Sequence, residues 1–227
     1  MTANPQLAER LIDLADRSDL DPVVLLPLLK RLAAGEPINI ADLAADVDLD
    51  VAALRARLAA APDTEFDEDG HIIGLGLTLR PTPHRLTLAG QELYTWCAFD
   101  TLVFPALLGQ TARVESTAPD GTVIRMTVTP DAVTRIEPAS AVMSVLPPAG
   151  DAPIRTGFCN QVHFFTAPED AAEWLADHPE AQVIPVAEAH RLATELATNI
   201  ASLAARCEAS PATDSCDAPR GGNSCCC

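Results

Sequence analysis

The chain has 227 residues, 48% of them apolar and only 4% aromatic, enough for a real core that Ala, Leu and Val must fill, in one large domain or two small ones. Its net charge is −17 and Lys30 is the only lysine, a balance that repels phosphate backbones and anionic lipid, so neither nucleic acid nor a membrane is an expected partner. The opening "MTANPQLAERLIDLADRSD" has no basic stretch and no unbroken apolar one, and no run approaches the length that crosses a bilayer, so the expected compartment is the cytoplasm.

In chain order, Leu7, Leu11 and Leu14 recur at near-helical spacing over residues 5–17. Asp21-Pro22 opens a second helix over 22–34, with Asp as cap and Pro at the first helical position, and it closes before Gly35. "INIADLAADVD" predicts a short helix, and "LDVAALRARLAAA" another with Val51, Leu54 and Leu58 on one face. Next, "TEFDEDGHIIGLGLTL" places two extended runs around Asp-Gly, a hairpin signal. Three or four helices followed by a hairpin outline a winged-helix module. The glycines of "GLGL" precede no helix start, so they do not make a phosphate loop.

Residues 92–108, "ELYTWCAFDTLVFPALL", read as a helix kinked or broken at Pro105. Short extended runs follow: "ARVEST", "GTVIRMTVT" and "SAVMSVLP", with turn chemistry in "APDG" between the first two. "TGFCNQVHFF" is a further strand candidate, and "PEDAAEWLADH" starts with Pro and acids as helix N-termini do. "AQVIPV" is short and extended, and residues 187–206 make a last amphipathic helix. The fold expected is α+β. A winged-helix-like helical module spans 1–80, an antiparallel-sheet core with flanking helices spans 81–207, and a flexible Cys-rich tail spans 208–227.

Seven cysteines in a chain expected in a reducing compartment are reactive, metal-binding or simply buried in preference to disulfide-bonded. No paired CxxC motif exists, which argues against a zinc finger. Cys97 and Asp100 sit inside an apolar run. On a helix, positions three apart share a face, so thiol and acid would point the same way. Burial favours the protonated carboxyl, which suits Asp100 to proton transfer, and the thiol offers a soft ligand or a nucleophile. The same residue types also suit a small core thiol and a carboxylate that binds loop amides, and residue types alone leave both readings open. Read as a strand, "TGFCNQVHFF" puts Cys159, Gln161 and His163 on one face, but two strand steps separate thiol and imidazole by roughly 7 Å. That spacing argues against a Cys–His hydrolase and gives His163 a local polar role.

The segments "TEFDEDGHIIGLGLTLR", "LYTWCAFDTLVFPALLGQTARVES" and "FCNQVHFF" resemble the bacterial organomercurial lyases, also called alkylmercury lyases, over roughly residues 6–206. The resemblance implies that Cys97, Asp100 and Cys159 are the catalytic residues and the groups that hold mercury. It implies protonolytic cleavage of a carbon–mercury bond, giving a hydrocarbon and Hg(II). It also implies no resident cofactor, an exogenous thiol for Hg(II) release, and a mercuric reductase as recipient of the product. Thr117 and Asn160 depart from cysteines found in some members. Trp96, Phe99 and Phe158 are candidate walls for an apolar organic group.

The tail "SCDAPRGGNSCCC", outside the resemblance, places Cys216, Cys225, Cys226 and Cys227 where a tethered thiol would capture or hand on mercury. Two other functions fit part of the pattern. A non-catalytic heavy-metal-binding protein would use the same cysteines without needing the acid. A winged-helix metal-responsive regulator would need basic residues. Residues 1–62 hold six Arg or Lys against ten Asp or Glu, and "DVAALRARLAA" offers only Arg55 and Arg57 to a phosphate backbone.

Overall fold

Asn4 opens the first helix by accepting the Gln6 N–H at 2.9 Å, and Pro5 follows it with a backbone already set for a helix. A computed structural model of the chain describes residues 2–15, 22–148 and 152–209. Helix α1 (Pro5–Ile12) runs into a 3-10 turn over Asp13–Ala15, and α2 (Pro22–Leu32) follows. The expected cap of α2, Asp21, lies outside the described residues. α3 (Ile40–Asp46) is capped by Asn39 and α4 (Val51–Ala59) by Asp50, each side chain accepting a backbone N–H of the first turn. Leu54 and Leu58 are buried as their spacing predicts, but Val51, in the first turn of α4, is exposed.

The expected hairpin follows as β1 (Glu65–Phe66) and β2 (Ile72–Leu75), paired antiparallel with Gly70 in the turn at φ +80°. Then come β3 (Leu77–Thr78), β4 (His84–Leu88) and β5 (Gln91–Thr95). The predicted helix over 92–108 is corrected here. Its first residues complete β5, and α5 begins only at Asp100 and runs to Leu108. "LYT" is β-forming chemistry, and Leu93 and Thr95 alternate inward in ladder with β4. Pro105 sits inside α5 without ending it, and Gly109 closes it at φ 63°.

β6 (Ala112–Thr117), β7 (Val123–Val128) and β9 (Val142–Val145) are the three extended runs expected, and β8 (Val133–Glu137) is an additional strand. A second correction concerns "TGFCNQVHFF". It folds as α6 (Ile154–Gly157), a 3-10 turn over Cys159–Gln161, and only then β10 (Phe164–Phe165). α7 (Ala172–Asp177), β11 (Gln182–Pro185) and the long α8 (Val186–Ala209) complete the described residues.

Among the described residues the strands form two antiparallel sheets, ordered β1-β2-β3-β5-β4-β6-β7-β8 and β10-β9-β11. β4 was not evident in "HRLTL", between Pro83 and a Gly turn, yet it lies inside the larger sheet with Leu86 and Leu88 turned to the core. α8 packs on α5, α2 and α1, so one cluster of buried apolar side chains runs through the helical module and the sheet core alike. Mixed α+β architecture, with a helical N-terminal part ahead of an antiparallel core, is the class expected.

Candidate active site

Two loops build the site. The first, Trp96–Phe99, joins β5 to α5. Its backbone is held at each step: Trp96 N–H donates to Gly76 O at 2.9 Å, Thr95 Oγ1 to Cys97 O at 2.9 Å, and Thr101 Oγ1 to Ala98 O at 2.6 Å. The Cys97 N–H donates to Asp100 Oδ2 at 3.1 Å. Cys97 and Asp100 are therefore neighbours, but through a turn that the acid itself closes and not through a shared helical face. An acid in the first turn of α5 also suits the positive end of that helix.

The second loop is the irregular stretch from α6 through the 3-10 turn that carries Cys159. Gly157 N–H donates to Pro153 O at 2.8 Å, and Phe158 N–H to Ile154 O at 3.0 Å, so the segment coils before it reaches the thiol. The predicted strand fails here because these local bonds bend the backbone, with Phe158 at φ −145°, ψ −62°. The Ala98 N–H reaches Val162 O at 3.3 Å and ties the two loops together.

As a result one ligand atom each from Cys97, Asp100 and Cys159 lies within 4.8 Å of the others. Cys97 has no exposed surface, Cys159 is 4% exposed, and neither is in a disulfide. Asp100 and Cys159 line a cavity of about 130 Å³. Its other walls are mostly apolar and come from both halves of the chain: Leu14 and Leu25 from the helical module, Phe104 and Leu107 from α5, Leu196 and Ile200 from α8. Trp96, Phe99 and Phe158, expected as walls, line it too.

Burial sets the electrostatics. Desolvation pushes the Asp100 carboxyl up to about 6, against the opposing pull of its hydrogen bonds with Cys97. Desolvation also raises the Cys97 thiol well above its ordinary value, helped by its hydrogen bond to Cys159 and by the Asp100 charge. At Cys159 the hydrogen bond from Cys97 pulls the thiol down, but burial and the charges of Asp100 and Asp63 outweigh it and leave the thiol raised. The unliganded site thus favours protons on sulfur, next to a carboxyl that exchanges one near neutral pH. One soft donor and a proton-exchanging acid face an apolar space, with the second soft donor buried beside them, which fits a thiophilic metal bearing an apolar group.

His163 stays apart from this cluster. Its backbone N–H donates to Ser144 Oγ at 2.9 Å, and its ring stands edge-on to Phe165. Gln161 Oε1 pairs with His178 Nε2 at 3.1 Å. Thr117 lies exposed on β6 and Asn160 exposed in the 3-10 turn, both outside the cluster. Cys216, Cys225, Cys226 and Cys227 lie outside the described residues.

Sequence reasoning missed three polar residues beside the site. The Arg155 guanidinium sits 4.8 Å from the centre of the Trp96 ring, forms an ion pair with the buried Glu65 at 2.6 Å, and its backbone N–H donates to Asp63 Oδ2 at 3.1 Å. One signal was present. The two glycines of "GLGL" are explained by close approach: Gly74 lies against the Glu65 carboxylate and Gly76 against the Phe104 ring.

Comparison with known proteins bears on this geometry. Residues 77–198 match the family model described as alkylmercury lyase, and residues 3–76 match that of the helix-turn-helix domain of alkylmercury lyase. The chain is 51% identical over 176 residues to the alkylmercury lyase of Streptomyces lividans, covering 77% of this chain and 82% of that protein. It is 46% identical over 171 residues to that of Staphylococcus epidermidis, covering 75% and 79%. It is 43% identical over 191 residues to that of Bacillus cereus, covering 84% and 85%. Among solved structures it is similar to the mercury-bound form of MerB2, with TM-score 0.73 over 87% of this chain and 100% of that one; at 23% identity this is a likeness of fold.

Proposed function

The chain belongs to the alkylmercury lyase family, enzymes that cleave carbon–mercury bonds, and from that premise we propose that Cys97, Cys159 and Asp100 perform the cleavage in this protein. The observation that carries the assignment is the convergence of two buried thiols and one acid within 4.8 Å beneath an apolar cavity.

Mercury(II) prefers thiolate to oxygen and nitrogen ligands. The substrate R–Hg–X exchanges X⁻ for one cysteine thiolate, and that thiol's proton leaves with X⁻. The second thiol then passes its proton to Asp100 and its sulfur binds mercury. Two sulfur donors push electron density through the metal onto carbon, so carbon becomes the better base. Asp100 delivers the proton to carbon, the C–Hg bond breaks with its electron pair on carbon, and R–H leaves. Two thiols and R–Hg–X become a hydrocarbon, HX and Hg(II) held by both cysteines. A carboxyl near 6 takes and returns a proton at neutral pH, and apolar walls receive the organic group while excluding water.

The catalytic unit in this reading is the core over residues 81–207, with the module over 1–80 contributing walls to the pocket. The enzyme needs no resident cofactor, an exogenous thiol strips Hg(II) from the paired cysteines, and a mercuric reductase is the recipient. Free thiols at Cys97 and Cys159 suit the reducing cytoplasm. Among the described residues no helix is long and apolar enough to cross a membrane.

The test is detection of methane from a methylmercury salt with excess thiol, comparing the wild type with Cys97→Ser, Asp100→Asn and Cys159→Ser. Each variant should lose release. Full release from any one of them removes that residue from the assignment.

A further inference from the structure

We propose that Asp63 and Glu65, two carboxylates of the N-terminal module, are positioning residues for the reaction: by gripping Arg155 they fix the coiled segment that ends in Cys159, and so set where its sulfur stands relative to Cys97 and Asp100. The inference rests on the role given to Cys159 above.

The grip has two points. Asp63 Oδ2 accepts the backbone N–H of Arg155 at 3.1 Å, in the first turn of α6. Glu65 Oε1 accepts from Arg155 Nη1 at 2.6 Å. From Arg155 the backbone bonds of α6 lead in one turn to Cys159, so a shift of the arginine is transmitted to the thiol.

Glu65 is placed for this at a cost. It is 7% exposed, and a buried carboxylate is unfavourable unless both oxygens are satisfied. Both are: Oε1 by Arg155, Oε2 by the Thr78 hydroxyl. Gly74 faces Glu65 across the β1–β2 ladder. A Cβ there would press on the Glu65 carboxylate and come 2.7 Å from Thr78 Oγ1, so the glycine is the space into which the acid folds. A buried ion pair is a poor source of stability compared with an apolar pair of the same volume, whereas it does fix one geometry over others. Here the geometry it fixes joins the hairpin of the module to the loop bearing a mercury-binding thiol. The module thereby acts on the site through a defined polar joint as well as through its share of the pocket wall.

The test uses the full chain with Glu65→Gln, Gly74→Ala and Asp63→Glu. Hydrocarbon release from methylmercury gives kcat and KM, and alkylation by iodoacetamide, mapped by peptide mass spectrometry, gives the reactivity of each thiol separately. A displacement of reacting groups by about an ångström costs up to about a hundredfold, so kcat should fall by about tenfold or more in Glu65→Gln and Gly74→Ala, with KM changing less. Thiol reactivity follows access and surroundings, so Cys159 labelling should change by about threefold or more while Cys97 labelling holds. Asp63→Glu keeps the charge that acts on Cys159, moves the carboxylate off the Arg155 N–H by a methylene and leaves Glu65 and its partners in place; it should show the same selectivity at smaller amplitude, and it keeps the test open if a Glu65 or Gly74 variant fails to fold. Wild-type kcat in the variants overturns the proposal, and so does an equal change in both thiols with a lowered Tm, which marks general loosening. Labelling needs no turnover, so a wild type that released no hydrocarbon would overturn the assignment of the site while the labelling still decided the grip on Cys159.

Discussion

The backbone N–H of Cys97 donates to Oδ2 of Asp100 at 3.1 Å, so the acid is fastened to the peptide of the cysteine beside it. Asn can keep this bond through its amide oxygen but cannot carry a proton to carbon. General acid–base groups contribute about 10²–10⁴-fold, so Asp100→Asn should lower hydrocarbon release by at least about a hundredfold. One equivalent of Hg(II) should still bind to Cys97 and Cys159, as read by dialysis. A variant that releases methane at the wild-type rate takes Asp100 out of the proton path.

The acid limb of the rate profile should lie near pH 6. Below the Asp100 value of about 6 the carboxyl already holds a proton and cannot take one from a thiol. Release should therefore climb as pH rises through that value, measured as initial rates between pH 5 and pH 8, a range set around it. A rate already at its maximum at the acid end would contradict the assignment.

Stability should respond with the opposite sense. The folded carboxyl is raised from 3.8 to about 6, so its favourable contribution is complete below the unfolded value and is lost as pH rises through about 6. A shift of that size is worth about 3 kcal/mol of lost stability at neutral pH. Asp100→Asn removes the titration. Its Tm should exceed that of the wild type above pH 6, and the gap should close toward pH 4, by thermal melts across that window. A constant gap would mean that the carboxyl is not strained by burial.

His84 works the other way. It is buried opposite Ser116, with Nδ1 3.1 Å from Ser116 Oγ, and desolvation, aided by the charge of His163, lowers it from 6.5 to about 3. A depressed folded value gives stability that is present above 6.5 and is lost as pH falls toward 3, by up to about 5 kcal/mol. His84→Gln should flatten the acid side of a denaturation-midpoint profile. An unchanged slope would assign acid sensitivity to other groups.

Gly76 holds φ +73°, and a Cβ there would stand 2.7 Å from Cζ of the Phe104 ring, which lines the cavity. Gly76→Ala therefore combines backbone strain with a shifted ring and should cost about 1–3 kcal/mol by denaturant unfolding. If the ring moves into the pocket, KM should rise more for a phenylmercury than for a methylmercury substrate. Equal effects on both would place the displaced ring elsewhere.

The segments legible in the sequence share a property: their signals are local. Apolar spacing in α1 and α4, the Pro22 start of α2, the Asp-Gly turn and the short extended runs of β6 and β7 each depend on residues a few positions apart. The two misread segments carried competing local signals. "LYTWCAFD" has the apolar density of a buried helix, yet ladder pairing with β4 claims its first half. "FCNQVHFF" alternates like a strand, yet turn bonds from Pro153 and Ile154 coil it first. Glu65 and Arg155 went unread because nothing near either residue announces a partner so far along the chain.

By itself, then, the sequence determined the chemistry on offer and the nearness of two of its carriers. A thiol and an acid three positions apart are neighbours in a turn or a helix alike, because chain connectivity leaves them nowhere else to go. The resemblance of its motifs pointed to Cys159 as the third member. Only the tertiary structure decided that Cys159 meets them under an apolar roof, because that meeting depends on bonds between distant segments, Ala98 to Val162 and Glu65 to Arg155, which no local preference encodes.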